Sequence, residues 1–345
     1  MACIKPSYNT ERILLGERLP LEAPFSIILD TSSRCNFKCS YCYRSGKKDE
    51  NWGYAADNKN MDIGTFNLVV KQLKEFPRKL KSVSLSGHGE PLCNPWLADM
   101  ARQLEESGTT ENIEMHTNAS LLTELNIKDI ASAGFTRIVI SVQGLDADTY
   151  DRVCGVKIDW GRFYNNLKLL YENKSEKLTI HVKITDVALG QDKYRENEGK
   201  FYNLFECVAD FIFVEKTVPL WRNVDVGQDA GTTKFGNDFS YVKYCPLLFY
   251  KMMVAPDGTI YPCTGLPPPI SIGNVVNMTL FEAWNSSKRQ NFLKEHLRLS
   301  RHSHGFCNGC FVPANSIMSH EDVIDPYKDA ILGRLEGQLD VKRKN

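Results

Sequence analysis

The chain has 345 residues, with 42 Lys plus Arg balanced by 42 Asp plus Glu, and 42% of its residues are hydrophobic. It can therefore bury a large core in one domain or one and a half, and its zero formal charge removes the long-range attraction that drives nonspecific nucleic-acid binding. The one basic cluster, Lys342-Arg343-Lys344, is C-terminal, Met1-Ala2-Cys3-Ile4-Lys5-Pro6 lacks the apolar stretch of a signal peptide, and no run approaches the ~20 apolar residues of a membrane span.

A cytoplasmic protein with neither a nucleic-acid nor a membrane partner is expected. Its eleven cysteines are too sparse for a disulfide scaffold, and in a reducing compartment their grouping, 35/39/42 early and 245/263/307/310 late, points to metal or redox chemistry.

Residues 1–24 read as an N-terminal extension. From 25 to 217, short β-branched runs alternate with amphipathic stretches, the pattern of repeated βα units around a parallel sheet. Strands are expected at 25–30, 82–86, 113–117, 137–142, 179–185 and 211–216. Between them, Asp62 caps a helix with Ile63, Phe66, Val70 and Leu73 on its apolar face, and Asn94-Pro95 starts a helix that Gly108 ends. Further helices are expected near 123–133, 159–171 and 198–208. Six parallel strands with outer helices suggest an α/β fold, a partial (β/α)6 TIM-like barrel whose ligands lie at the C-terminal strand ends.

Residues 218–240, rich in Gly, Asp and Thr, read as a linker or lid in which Trp221, Arg222 and Asp225 are placed to contact a substrate or simply to pack. A small C-terminal α+β domain is expected over 241–322. There Pro256-Asp257-Gly258 marks a hairpin and Thr279 with Glu282 fits a capping box for a helix carrying Leu280, Trp284 and Leu293. Residues 323–345 read as a tail, and no internal repeat is evident.

Cys35, Cys39 and Cys42 form C-x3-C-x2-C directly after the first strand. Three thiolates on one loop hold three irons of a [4Fe–4S] cluster and leave the fourth iron without a protein ligand. The other reading is zinc, which needs a fourth ligand nearby and prefers paired C-x2-C knuckles. With Tyr41 before the last cysteine, the segment resembles the radical S-adenosylmethionine (SAM) superfamily. That resemblance implies that the amino and carboxylate groups of SAM chelate the open iron. It also implies reductive cleavage of SAM to a 5′-deoxyadenosyl radical that abstracts hydrogen from substrate, with the electron coming from a donor such as flavodoxin or ferredoxin.

Ser86-Gly87-His88-Gly89-Glu90-Pro91 stands where the family carries its Gly-Gly-Glu-type motif, so Gly87, Gly89 and Glu90 are implied in SAM binding. His88 departs from that motif, and the plain alternative is a turn with a buried glutamate. Asn118 and Ser141 fall where the family contacts the ribose and carboxylate of SAM, although polar strand-end residues also serve as ordinary loop caps. Gln143 stands where the family often has Asp. Lys183 and Glu215, on the fifth and sixth strands, either point into the barrel mouth or belong to solvated strand faces. If inward, either is a candidate proton acceptor.

Cys245 and Cys263 read as C-x12-G-x4-C through Gly258, and with Ile272-Gly273-Asn274-Val275 resemble the start of the SPASM/twitch extension of radical SAM enzymes. A full SPASM pattern implies cysteines at 316 and 320, where this chain has Ser316 and His320. One auxiliary [4Fe–4S] cluster on Cys245, Cys263, Cys307 and Cys310 is therefore implied, resembling the twitch-type aminocyclitol dehydrogenase, with structural zinc the alternative. Cys3, Cys93, Cys154 and Cys207 are expected to be small buried residues.

The resemblance implies a radical SAM oxidoreductase in which the auxiliary cluster accepts an electron while an alcohol of a sugar, aminocyclitol or other small metabolite is oxidised. The alternatives are modification of a peptide or protein, epimerisation with Cys154 or Cys207 returning hydrogen, and a non-enzymatic zinc-binding protein.

Overall fold

The computed structural model describes residues 1–8, 11–46, 57–222, 224–226, 232–238, 242–313 and 317–337. Ser316 and the basic cluster 342–344 lie outside the described residues. The strands are β1 (Cys3–Ile4), β2 (Ser26–Leu29), β3 (Ser82–Ser84), β4 (Ile113–Thr117), β5 (Arg137–Val142), β6 (Thr179–Thr185), β7 (Phe211–Glu215), β8 (Lys251–Val254), β9 (Thr259–Tyr261) and β10 (Gly273–Asn274). They form one sheet in the order β1-β7-β6-β5-β4-β3-β2-β8-β9-β10. Pairing is parallel from β1 to β8 and antiparallel along β8-β9-β10.

This is the α/β parallel sheet of a partial barrel with a small C-terminal part. β2 to β7 are the six expected strands. Two strands extend them beyond the sequence reading. β1 adds an edge beside β7, and β8, expected only as one arm of a hairpin, pairs in parallel with β2.

The helices are α1 (Leu15–Arg18), α2 (Ile63–Leu73), α3 (Leu97–Ser107), α4 (Glu124–Ala131), α5 (Ala147–Cys154), α6 (Trp160–Asn173), α7 (Asp186–Leu189), α8 (Tyr194–Phe205), α9 (Leu247–Tyr250), α10 (Leu280–Asn285) and α11 (Ser287–Leu299), followed by Lys328–Leu335. Asp62 caps α2 by accepting from Thr65 N, and Gly108 ends α3 in the left-handed region. Asn94 does not cap α3. Its Oδ1 takes Trp96 N in a preceding turn while its Nδ2 donates to the Thr31 and Met61 carbonyls, so the helix begins two residues later than Pro95. The helix expected from 279 is two helices, because Ser286 interrupts the first and caps the second through Arg289 N.

Side-chain alternation along the strands sorts the core from the lumen. Ile27, Leu29, Val83, Leu85, Met115, Ile138, Ile140, Val182, Ile184 and Met252 belong to the main apolar core with the helices. The alternate positions, Ser26, Ser84, Glu114, His116, Arg137, Ser141, Lys183, Glu215 and Lys251, therefore face the other way, into a polar interior. The sheet curls around that interior. Lys251 on β8 is within electrostatic reach of Glu114 on β4 and of Lys234, whose carbonyl is bound by Lys216 N just past β7.

Segments near both termini are part of this fold. Leu15 and Leu19 of the N-terminal stretch pack with Leu247, Phe249, Leu293, Ile324 and Ile331 in a second core that also holds Cys245 and Cys263. Arg334 donates to the carbonyls of Gly16 and Glu17. The stretch read as a tail thus folds as a helix at Lys328–Leu335.

Candidate active site and cysteine centres

The loop carrying Cys35, Cys39 and Cys42 leaves the C-terminal end of β2 and is fixed from three sides. Lys38 N and Ser40 N donate to the carbonyls of Cys154 and Val153 at the end of α5, 3.1 and 2.8 Å away. Glu90 N donates to Arg34 O at 2.7 Å. On the third side Asn36 Oδ1 accepts from Asn118 Nδ2 at 2.9 Å. Burial and then the neighbouring thiols push the Cys39 thiol well up, and burial pushes Cys42 to about 11. Thiols held this way are a grouped donor set that a metal centre can claim by displacing protons.

The 86–91 segment packs directly on this loop, which explains its two glycines. A Cβ on Gly87 would lie 2.3 Å from Asp30 Cγ, and one on Gly89 would lie 2.2 and 2.3 Å from the carbonyl oxygens of Ser32 and Arg34. Glu90, 2% exposed, accepts from Thr117 Oγ1 at 2.6 Å, Asn118 N at 2.7 Å and Leu92 N at 3.0 Å. Burial outweighs these donors and raises its carboxyl to about 7. Glu90 therefore ties the 86–91 turn to the end of β4 and positions Asn118.

His88 reaches away from the loop. Its Nε2 lies 3.0 Å from Thr264 O, beside Cys263, and its Nδ1 3.8 Å from Asp30, whose buried carboxylate has no hydrogen-bond partner among the described residues. Tyr43, adjacent to Cys42, contacts Trp221 at 5.4 Å between ring centroids and His88 at 6.1 Å. Tyr41 donates to Gln143, whose Nε2 binds Ser141 O at 3.0 Å. Ser141 pairs in register with Lys183 on the lumen face.

The four late cysteines line one cavity with Leu220, Leu247, Leu266, Pro267 and Val312. A Cβ on Gly265 would lie 3.5 Å from Cys263 Sγ and 4.0 Å from Cys310 Sγ, so this glycine leaves room where two of the thiols meet. Cys245 N donates to His296 Nε2 at 2.8 Å. Burial and then the neighbouring Cys310 thiol raise the Cys307 thiol to about 12, against the pull of Arg301 and Arg222. Arg222, read as either contacting substrate or packing, grips the cysteine turn by donating to the carbonyls of Gly309, Phe306 and Asn308 at 3.1, 3.0 and 2.9 Å. Among the described residues, no three thiol, imidazole or carboxylate groups stand close enough for one metal ion.

Residues 29–194 match the model of the radical SAM superfamily, and residues 245–311 match the SPASM iron–sulfur cluster-binding domain. The chain is a radical SAM protein with a C-terminal SPASM domain. Its cofactors are a [4Fe–4S] cluster bound with SAM and an auxiliary iron–sulfur cluster, and both donor sets described above fit them. The radical SAM protein is 33% identical over 155 residues to a GTP 3′,8-cyclase of Trichodesmium erythraeum, covering 44% of this chain and 45% of that one. It is 30% identical over 195 residues to a tungsten-containing aldehyde ferredoxin oxidoreductase cofactor-modifying protein of Pyrococcus furiosus, covering 56% and 52%. The chain thus spans about half the length of these curated relatives.

Among solved structures it resembles SuiB of Streptococcus suis bound to S-adenosylmethionine, with TM-score 0.62 and 17% identity over 91% of this chain and 79% of that one. It also resembles BtrN in complex with AdoMet and 2-DOIA, with TM-score 0.54 and 17% identity over 86% and 96%. These likenesses establish the shared fold. No helix among the described residues is long and apolar enough to cross a membrane.

Lys183 and Glu215, each a candidate proton acceptor if inward and otherwise part of a solvated strand face, hold each other at 2.7 Å in this radical SAM protein. Burial alone would raise Glu215, yet Lys183 and Lys234 bring it down to about 2, so it is a weak base beside a lysine whose charge it holds. His116, one register deeper than Asn118, was passed over. Its side chain is open to the lumen, and burial with the charges of Lys183, Lys234 and Arg137 holds it well below the usual histidine range. The available signal was its alternation with Met115 and Thr117. Of the unpaired cysteines, Cys154 is buried and donates to Tyr150 O, whereas Cys3 and Cys207 are exposed and Cys93 is half-buried.

Proposed function

We propose that this protein is a radical SAM oxidoreductase that oxidises an alcohol of a sugar, aminocyclitol or other small metabolite, using its single auxiliary cluster as electron acceptor. One observation carries the reading. The segments that carry the two thiol sets are tied together, by the His88 contact to Thr264, next to Cys263, and by the contact of Tyr43, next to Cys42, to Trp221. When bound, the two clusters and SAM supply hydrogen-atom abstraction through a 5′-deoxyadenosyl radical and a sink for one electron.

The chain's own residues supply the rest. His116, neutral and open to the lumen, accepts the carbinol proton on an imidazole nitrogen as the substrate loses its hydrogen atom and one electron to become a ketone. Tyr41 and Gln143 close one wall of the cysteine loop, and Asn118, Ser141, Gly87 and Gly89 form the surface on which SAM lies. A flavodoxin or ferredoxin supplies the reducing electron. Cys154, beneath the cysteine loop, and Cys207, on the surface, stand away from the lumen, which disfavours epimerisation through either.

Anaerobic reconstitution with iron and sulfide, followed by reduction and assay of 5′-deoxyadenosine, tests the proposal. SAM cleavage with about eight irons per chain is expected. A colourless zinc protein that never cleaves SAM would overturn it. Cys310→Ala should cleave SAM but fail to complete the oxidation, and full turnover by that variant would remove the electron-acceptor role.

A further inference from the structure

We infer that His88 tunes the auxiliary cluster. Anchored by Asp30, its imidazole donates through one peptide group, that of Thr264 and Gly265, to the sulfur of Cys263, which makes the cluster a better electron acceptor. This deepens the electron-acceptor role proposed above and rests on it for its use in turnover.

The relay is continuous from ring to sulfur. His88 Nε2 lies 3.0 Å from Thr264 O. A carbonyl oxygen bears no proton, so the ring nitrogen is the donor. The N–H of the same peptide unit belongs to Gly265, and it donates to Cys263 Sγ at 3.4 Å. A donor on the oxygen side of a peptide polarises the N–H on its other side, so each bond strengthens the next.

The ring is held for this contact. The His88 side chain is 5% exposed, and its Nδ1 faces Asp30 Oδ2 at 3.8 Å. Asp30 is fully buried, and neither of its carboxylate oxygens accepts a hydrogen bond among the described residues. A carboxylate behind an imidazole sets where the other ring nitrogen points, as it does behind histidines that bind metals directly. Here the histidine acts one peptide away from the sulfur. Its backbone is clamped as well, since Tyr43 Oη and Arg44 Nε donate to His88 O at 2.8 and 3.4 Å. Trp221 packs against the ring with centroids 6.1 Å apart. The glycine of the Gly-Gly-Glu-type motif would bring no side-chain donor to this position, so the departure at 88 is what creates the relay.

Hydrogen bonds to the ligand sulfurs help set the potential of an iron–sulfur cluster, because they stabilise the extra negative charge of the reduced form. His88 is therefore a positioning residue, acting through the Cys263 ligand and not on the reacting atoms.

Reductive titration of the reconstituted holoenzyme, followed by electron paramagnetic resonance, reads both clusters without turnover. His88→Phe should lower the electron affinity of the auxiliary cluster at least tenfold, about 59 mV for one electron, and leave that of the SAM-cleaving cluster within about threefold. His88→Gln, whose amide N–H stands near the place of Nε2, should restore the auxiliary value to within about threefold of wild type. Asp30→Asn should lower it more in the wild type than in the His88→Phe background, a comparison that cancels the direct field of the carboxylate.

An unchanged auxiliary potential in His88→Phe would overturn the relay. So would equal shifts at both clusters, the mark of a general packing defect, or a glutamine variant as low as the phenylalanine one. Equal effects of Asp30→Asn in both backgrounds would remove the anchor. If His88→Phe does not assemble its auxiliary cluster, His88→Leu is held to the same outcomes. A reducible auxiliary cluster whose potential ignores His88 refutes the relay alone, whereas an auxiliary cluster that takes up no electron refutes the acceptor role and the relay together.

Discussion

Burial and neighbouring cations keep the His116 imidazole neutral, so its nitrogen is free to accept a proton although they also weaken it as a base. His116→Asn is expected to slow the net oxidation about 100-fold while 5′-deoxyadenosine still forms, measured as the ratio of product to SAM cleaved. Because His116 is held well below the usual histidine range, the wild-type rate should stay flat from pH 8 down to about 6.5, the ordinary histidine value, instead of falling through it. Glu215 behaves oppositely. Its folded value of about 2 is below the ordinary carboxylate value, so the stability it supplies is present above about pH 4.5 and fades as pH falls toward 2. Glu215→Gln should flatten that part of an acid-unfolding curve. Neither behaviour could be read from residue type. Lys183 and Glu215 were visible as polar strand positions, but their pairing depends on β6 and β7 lying side by side in register.

At the scale of elements, the periodicity of two marked β2 to β7 because those strands are long enough to alternate visibly, and Asp62, Gly108 and the Thr279 capping box punctuated their helices. The two-residue β1 has no periodicity to detect, and a hairpin arm such as β8 does not announce its partner on the other side. Asn94 carried a genuine capping signal, but its amide was claimed by Thr31 and Met61 across the chain. Three cysteines and two glycines of the first centre were legible because their spacing is local, whereas the His88 contact to Thr264 joins residues 176 positions apart. The glycine turn is the most sensitive element. Gly89→Ala drives a methyl into two backbone carbonyls, at a cost of about 3 kcal/mol. Iron in the reconstituted variant should fall from about eight to about four per chain, with the loss confined to the SAM-cleaving cluster by electron paramagnetic resonance.

Over the whole molecule, the second core joins segments from both ends of the chain. Leu19 is fully buried there beside the elements that carry Cys245 and Cys263. Leu19→Ala should cost about 3 kcal/mol, read as a lowered melting temperature together with weaker retention of the auxiliary cluster during dialysis against chelator. β8 carries a wider consequence. Two family models divide the chain, yet the strand leading into the SPASM hairpin is hydrogen-bonded along its length to the strand that launches the SAM-cluster loop. Amide protons on β2 and β8 should therefore exchange at a common rate, as one cooperative foldon. The two centres share one mechanical backbone: a strain that displaces one displaces the other, and the gap between them is set by a sheet and not by a hinge.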